Sequence, residues 1–309
     1  MDGTAWFISI VLAVGFVVVF AATFVPGSGR RSTQRLVRSI GIGLPPQLEA
    51  EVEARVILRQ RAGSIGAAIA VAAAVAFFVL SSAAPSQLTG LLIVGAAFAG
   101  IAIGAGVSAA TASAATAPGE ARVARLRAVS VRDYLAPLEL LGARVVAGLA
   151  VVTAIAVIAL TPFADGDDAA NVVVITALGV TAGVSLALFE LFSRRIVDRP
   201  QPVGTPVELA WDDALRSSTL RDIVTAPLLI GVYTVMYGFI EISDRVGVAS
   251  DSFVGFAVAA GVFMLVLAAL LILAIVSIVS RPQRHVIRRL WPDVDVDGAR
   301  PDASAGATA

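Results

Sequence analysis

The sequence predicts an all-α polytopic membrane bundle. It has seven transmembrane helices, the N-terminus outside, the C-terminus in the cytoplasm, and amphipathic helices on the cytoplasmic side. Three observations predict it. Of 309 residues, 58% are hydrophobic and the mean hydropathy is +0.88, whereas soluble domains are about 45–50% apolar. The apolar residues are gathered into seven runs long enough to cross roughly 30 Å of hydrocarbon as helix, which takes about 20 residues. The arginines between the runs fall almost wholly on one side.

The runs are 5–25, 63–83, 88–109, 140–161, 171–193, 224–243 and 253–280, and the first, second, third and seventh contain no Asp, Glu or Arg. The last is 28 residues long, enough to tilt or to extend past the bilayer. A β-barrel is excluded, because its strands are short and alternate apolar with polar. Loops 84–87, 162–170 and 244–252 are short, while segments 26–62, 110–139, 194–223 and 281–309 are long. All 23 basic residues are arginine; 22 lie in the long segments or, for Arg144, just inside span four, and only Arg245 lies opposite. The positive-inside rule makes the long segments cytoplasmic. Asp165, Asp167 and Asp168 in a short loop agree with this. Met1-Asp2-Gly3 lacks the basic start of a cleaved signal peptide, so span one reads as an anchor, with Trp6 at the interface. Residues 1–280 therefore form the bundle. Residues 281–309 form a basic segment and an acidic tail, disordered after Trp291.

The long segments predict charged interfacial helices that lead into outward-going spans. One starts at Pro45-Pro46, with Glu49, Glu51 and Glu53 early and Arg55, Arg59 and Arg61 late, an order that complements the helix dipole. Leu48, Val52 and Val56 make its apolar stripe. Another starts at Pro206, with Val207, Trp211 and Leu215 on a stripe and Asp212 and Arg216 as an i, i+4 pair. A weaker one covers 120–135. The spans that follow begin at 63, 140 and 224, which suggests one anchor plus three similar helical hairpins.

Small residues mark packing seams. Ala96, Gly100, Gly104, Ser108 and Ala112 recur every four residues in and after span three; Gly179, Gly183 and Ala187 do so in span five. Such stripes let backbones approach closely, inside one chain or between copies, so a homo-oligomer is the alternative use.

The site candidates are few. Arg144 and Glu190 lie at similar depth in spans four and five, where they could pair and bind an ion in a transporter, or snorkel to the interface. Glu241, i, i+4 to Arg245, reads as a surface pair. Trp211, Arg216, Arg55 and Arg59 are candidates for docking a cytoplasmic partner. Arg284, Arg288, Arg289 and Trp291, beside the lone His285, read as anionic-lipid contacts at the inner interface. Asp293, Asp295, Asp297 and Gly298 open like a calcium loop, but Ser304 stands where the bidentate glutamate belongs.

Exclusions narrow the function. No cysteine and one histidine leave no thiolate chemistry and no multi-histidine metal site, and no cofactor is expected. Zero net charge argues against nucleic acid as a partner. No P-loop, GxSxG, HExxH or GxGxxG after a strand is present, so the chain is not expected to be an enzyme. The absence of lysine with abundant Ala, Gly and Val points to a GC-rich bacterial genome, and so to a bacterial plasma membrane.

The stretch from Leu209 to Asp222, and Leu44-Pro-Pro followed by Glu51, Glu53, Arg55, Arg59 and Arg61, resemble segments of multi-pass membrane proteins of actinobacteria that carry no assigned activity. The resemblance implies class and lineage only. The expected function is that of a non-catalytic membrane subunit or accessory partner of a transport system. The alternative is a secondary transporter with a site between spans four, five and six.

Overall fold

Five helices of the computed structural model are long and apolar enough to cross a membrane: Pro46–Phe77, Gly90–Thr111, Pro137–Leu160, Asn171–Val197 and Pro206–Ser243. They correspond to the second to sixth sequence-predicted spans. The structure describes residues 21, 24, 25, 27–81, 89–111, 129–161, 169–201, 204–245 and 284–292. Most of predicted span 5–25, all of 253–280, the acidic tail and most of 110–128 lie outside the described residues.

The described helices are α1 (Ser28–Ile40), α2 (Pro46–Ser81), α3 (Thr89–Thr111), α4 (Val131–Tyr134), α5 (Pro137–Leu160), α6 (Ala169–Val197), α7 (Pro206–Arg245) and α8 (His285–Leu290). Helix α1 was not foreseen. Its composition is polar, but Thr33 and Ile40 are buried, Leu36 and Val37 half-buried, and glycines with φ of 82° at positions 27 and 41 delimit it. The Gly41 N–H closes the end on the Val37 carbonyl, as a left-handed glycine cap does.

The expected interfacial helices are not separate elements lying on the membrane. Pro46–Arg61 runs straight on as the start of α2, and Pro206–Asp222 as the start of α7. At 1.5 Å per residue, the 36 residues of α2 and 40 of α7 are about 54 Å and 60 Å long. Both exceed roughly 30 Å of hydrocarbon. Each helix is continuous through the junction of charged and apolar halves, although Pro227, near the start of the apolar half of α7, has no N–H to give the Ile223 carbonyl. The predicted stripes serve helix packing instead: Val52, Val56, Trp211 and Leu215 are all buried in the core. The middle unit departs from the pattern. Its described part is the single turn α4, which breaks at Leu135-Ala136 before α5 begins.

The apolar packing of α5 follows membrane logic, with small side chains inward and large ones outward. On α5, Ala143, Ala147, Ala150, Ala154 and Val157 are buried, while Leu141, Val145, Leu149, Val152 and Ile155 are exposed to the surroundings. The glycine seams fall within the chain. A Cβ at Gly100 would collide with the backbone of Gly66 and Ala67, and one at Gly104 with the backbone of Ala62. These pairings run in opposite directions, so α2 and α3 are antiparallel. Gly231 meets Val146, and Gly238 meets Thr153, so α5 and α7 run parallel at similarly close range. Gly179 abuts Ala154 and Ala150, joining α6 to α5.

A leucine at Gly104 cannot enter the α2–α3 seam without parting the backbones. We expect Gly104→Leu to lower the melting temperature in detergent by several degrees, from overpacking of at least about 1–3 kcal/mol. Gly148→Leu, at a position with nothing within 4 Å of a new Cβ, serves as the matched control. Equal melting temperatures for the two variants would refute the seam.

Candidate functional site

The charged half of α7 is enclosed. From Ala210 to Ser217 every residue is buried, including Asp212, Asp213 and Arg216. Lipid cannot solvate these groups, and burial without partners would cost several kcal/mol per charge. Other segments supply the partners.

Asp213, fully buried, is held by three neutral donors from three segments. Tyr134 Oη of α4 donates to Oδ1 at 2.8 Å. Gln201 Nε2, from the linker after α6, donates to Oδ1 at 2.8 Å. Trp291 Nε1, just after α8, donates to Oδ2 at 2.9 Å. Asp212 is bonded by charge: Arg55 of α2 reaches Oδ1 at 3.0 Å, and Arg216 reaches Oδ2 at 2.9 Å. Gln201 also donates to Asp212 Oδ2 at 3.1 Å, joining the two carboxylates. The other arm of the Arg216 fork donates to the Arg199 carbonyl at 2.8 Å. It thereby serves the carbonyls at and after the C-terminus of α6, where a cation is also favoured by the helix dipole. Trp211 Nε1 donates to the Gly43 carbonyl at 3.0 Å, tying in the α1–α2 linker. Arg59 completes the α2–α7 contact through the Ser218 and Thr219 hydroxyls and Asp222.

Helix α8 closes the cluster. Arg289 Nε donates to Asp133 Oδ1 at 2.5 Å. The other oxygen of Asp133 accepts from the Ser130 N–H (2.8 Å) and hydroxyl (2.9 Å), forming a capping box at α4. His285 Nε2 lies 3.2 Å from the Arg132 carbonyl, so the proton of that bond is on the imidazole. Arg284 packs over Gly41 at the C-terminus of α1.

The predicted docking residues therefore have different placements. Arg55 is partly exposed, but Trp211 and Arg216 are 1% and 7% exposed and face inward. The predicted lipid contacts also divide. Arg289 and Trp291 bond to Asp133 and Asp213, Arg284 meets Gly41, and Arg288 is exposed. Arg144 and Glu190 do meet, with the guanidinium Nε at 2.8 Å and Nη2 at 2.7 Å from Oε1. Each lies seven residues, about 10 Å, from its helix end. The pair is turned to the outside of the bundle, with side chains 45% and 32% exposed. Glu241 is not at the surface: it is buried and accepts from Asn171 Nδ2 of α6 at 3.3 Å. The Asp212–Arg216 pair forms as the spacing predicts.

Comparison with models of protein families, with curated proteins and with solved structures gives no match. No family is identified. The chain is a multi-helix membrane protein with five candidate spans among the described residues, and what it does is argued from its own geometry.

The residues that the sequence did not single out are Asp133, Tyr134, Gln201 and Asp213. Only Asp213 carried a signal, as a second carboxylate beside the stripe residue Trp211. The others become visible only when segments far apart in the chain converge.

Burial alone would raise the Asp133 carboxyl. The bond from Arg289 and the two from Ser130 outweigh it and hold the pKa at about 2 instead of 3.8. A depressed carboxylate contributes stability above its unfolded pKa and loses it as pH falls through the folded value. We expect stability to decline by at most about 2 kcal/mol between pH 4 and pH 2 on this account. In Asp133→Asn that component should be missing from the difference curve. Parallel wild-type and variant stability curves across that window, read by detergent-compatible melting, would refute the assignment.

Proposed function

We propose that the protein is a non-catalytic component of a bacterial plasma-membrane system, a membrane subunit or accessory partner of a transport machinery. In this reading the arginine-rich end faces the cytoplasm, the N-terminus is outside and the C-terminus inside. The in-line charged halves of α2 and α7 form a stalk on which a cytoplasmic protein docks.

The single observation behind this reading is the continuity and bracing of that stalk. Both helices carry about 16 residues beyond their apolar halves. Arg55 and Arg59 clamp them together. A pair of surface-lying helices would instead rest on lipid and present little to a partner. The outward stripe of the stalk is Gln47, Ala54 and Leu58 of α2, exposed among the described residues, with the large apolar Leu58 among charges; Arg61 at its end packs over the Phe24 ring. Trp211 and Arg216 contribute by holding the stalk together. The outward position of Arg144 and Glu190 lends no support to a transport site among spans four, five and six.

Orientation is directly measurable, because the chain has no cysteine and any introduced thiol reports alone. A membrane-impermeant maleimide added to intact cells should label Asp167→Cys and leave Ala54→Cys unlabelled until lysis. The reverse pattern would invert the topology and remove the cytoplasmic docking role.

Docking is tested by affinity purification from native membranes in mild detergent. The wild type should retain a cytoplasmic protein at near-stoichiometric yield. Ala54→Arg combined with Leu58→Glu, still inserted and monodisperse, should lose it. A wild-type protein that purifies alone, or a variant that retains the partner, would refute docking on this face.

A further inference from the structure

A groove of about 420 Å³ lies between α1 and the first turns of α2, within the range of small-molecule sites. Its walls carry opposite charge. Arg30 and Arg38 line it from α1, and Glu49 and Glu53 from α2; Val37 and Leu44 add apolar surface. Arginines and carboxylates on neighbouring helices ordinarily close into ion pairs. Among the described residues none of the four forms one, and Arg38 donates to the Gln34 carbonyl of its own helix, at 3.3 Å.

Both ends of α1 are in close contact with neighbouring segments. Gly29 is pressed against Ile57 at its start, and Gly41 against Arg284 at its end. Between them, Thr33 lines the groove from the middle of the arginine wall. Its side chain is buried, at 4% exposure, and its hydroxyl has no hydrogen-bond partner among the described residues. A helical threonine normally bonds back to the preceding turn. A buried hydroxyl left unmatched costs about 1–3 kcal/mol, so this one is placed for something that enters the groove.

We propose that the α1–α2 groove binds a zwitterion: an oxyanion at the Arg30–Arg38 wall and the Thr33 hydroxyl, and a hydrogen-bonding ammonium at Glu49 and Glu53. The two walls together carry no net charge. A simple anion would be repelled by the carboxylates, and a simple cation by the guanidiniums. A ligand that carries both charges on a short linker satisfies all four groups at once, with charge-assisted bonds on each side. The carboxylates need N–H donors, so an ethanolamine-type group fits and a quaternary ammonium does not. The inference stands independently of the docking reading.

The test is titration calorimetry on the full chain in a nonionic detergent. The probe is glycerophosphoethanolamine, a phosphodiester joined to a primary ammonium. It should bind, and glycerophosphocholine, ethanolamine and inorganic phosphate should each bind at least about tenfold more weakly. Thr33→Val should weaken binding about fivefold. Glu49→Gln with Glu53→Gln should weaken it at least about tenfold, at unchanged melting temperature. Short-chain phosphatidylethanolamine carries the same group. If it competes, the zwitterion is a lipid headgroup; if it does not, the zwitterion is a free solute, and the proposal holds in both cases. No heat with glycerophosphoethanolamine would overturn it. So would phosphate or the choline analogue binding as tightly, and these comparisons use the wild type alone.

Discussion

The structure depends on one buried carboxylate. Asp213 is fully enclosed, and a polar group in that position is tolerated only where hydrogen bonds replace water. Tyr134, Gln201 and Trp291 provide those bonds. They come from three segments, so satisfying one side chain fixes the relative position of α4, the linker after α6 and the end of α8. The neighbouring Asp212 draws in α2 through Arg55 and braces Arg216, which in turn closes α6. A helix half that would be the most water-loving part of the chain thus becomes the axis of its arginine-rich end.

The other half of the bundle obeys a different solvent. In lipid no hydrophobic force separates leucine from its surroundings, so association rests on close van der Waals approach. This explains why α5 buries alanines and exposes its larger side chains, the reverse of a soluble helix. It also explains why glycines of α3, α6 and α7 sit against neighbouring helices. The two regimes meet within single helices, since α2 and α7 pass without a break from lipid packing to a polar network.

Much of this was legible in the sequence. Runs of apolar residues located five of the described helices, because span length is set by bilayer thickness and needs no tertiary information. The four-residue recurrence of small residues named Gly100 and Gly104, both of which sit in a seam. The Asp212–Arg216 pair follows from helical spacing alone. What could not be read is whatever depends on convergence. The fate of Trp211, Arg289 and Trp291 turns on partners about 80 to 170 residues away, and an amphipathic stripe looks the same whether it meets lipid or a helix. Helix α1 escaped because its apolar side is short and its limits are two glycines whose left-handed backbone leaves little trace in composition.

The position of α8 has a consequence for biosynthesis. The Trp291 indole is bonded to an acid on a helix made 78 residues earlier. Arg289 reaches back 156 residues to Asp133. Until the ribosome has released this stretch, Asp213 lacks the Trp291 donor and Asp133 lacks the Arg289 guanidinium. The arginine-rich end therefore cannot close fully as its helices emerge one by one; it closes only after residues 289–291 are made, and a chain truncated before residue 291 would leave it unsealed.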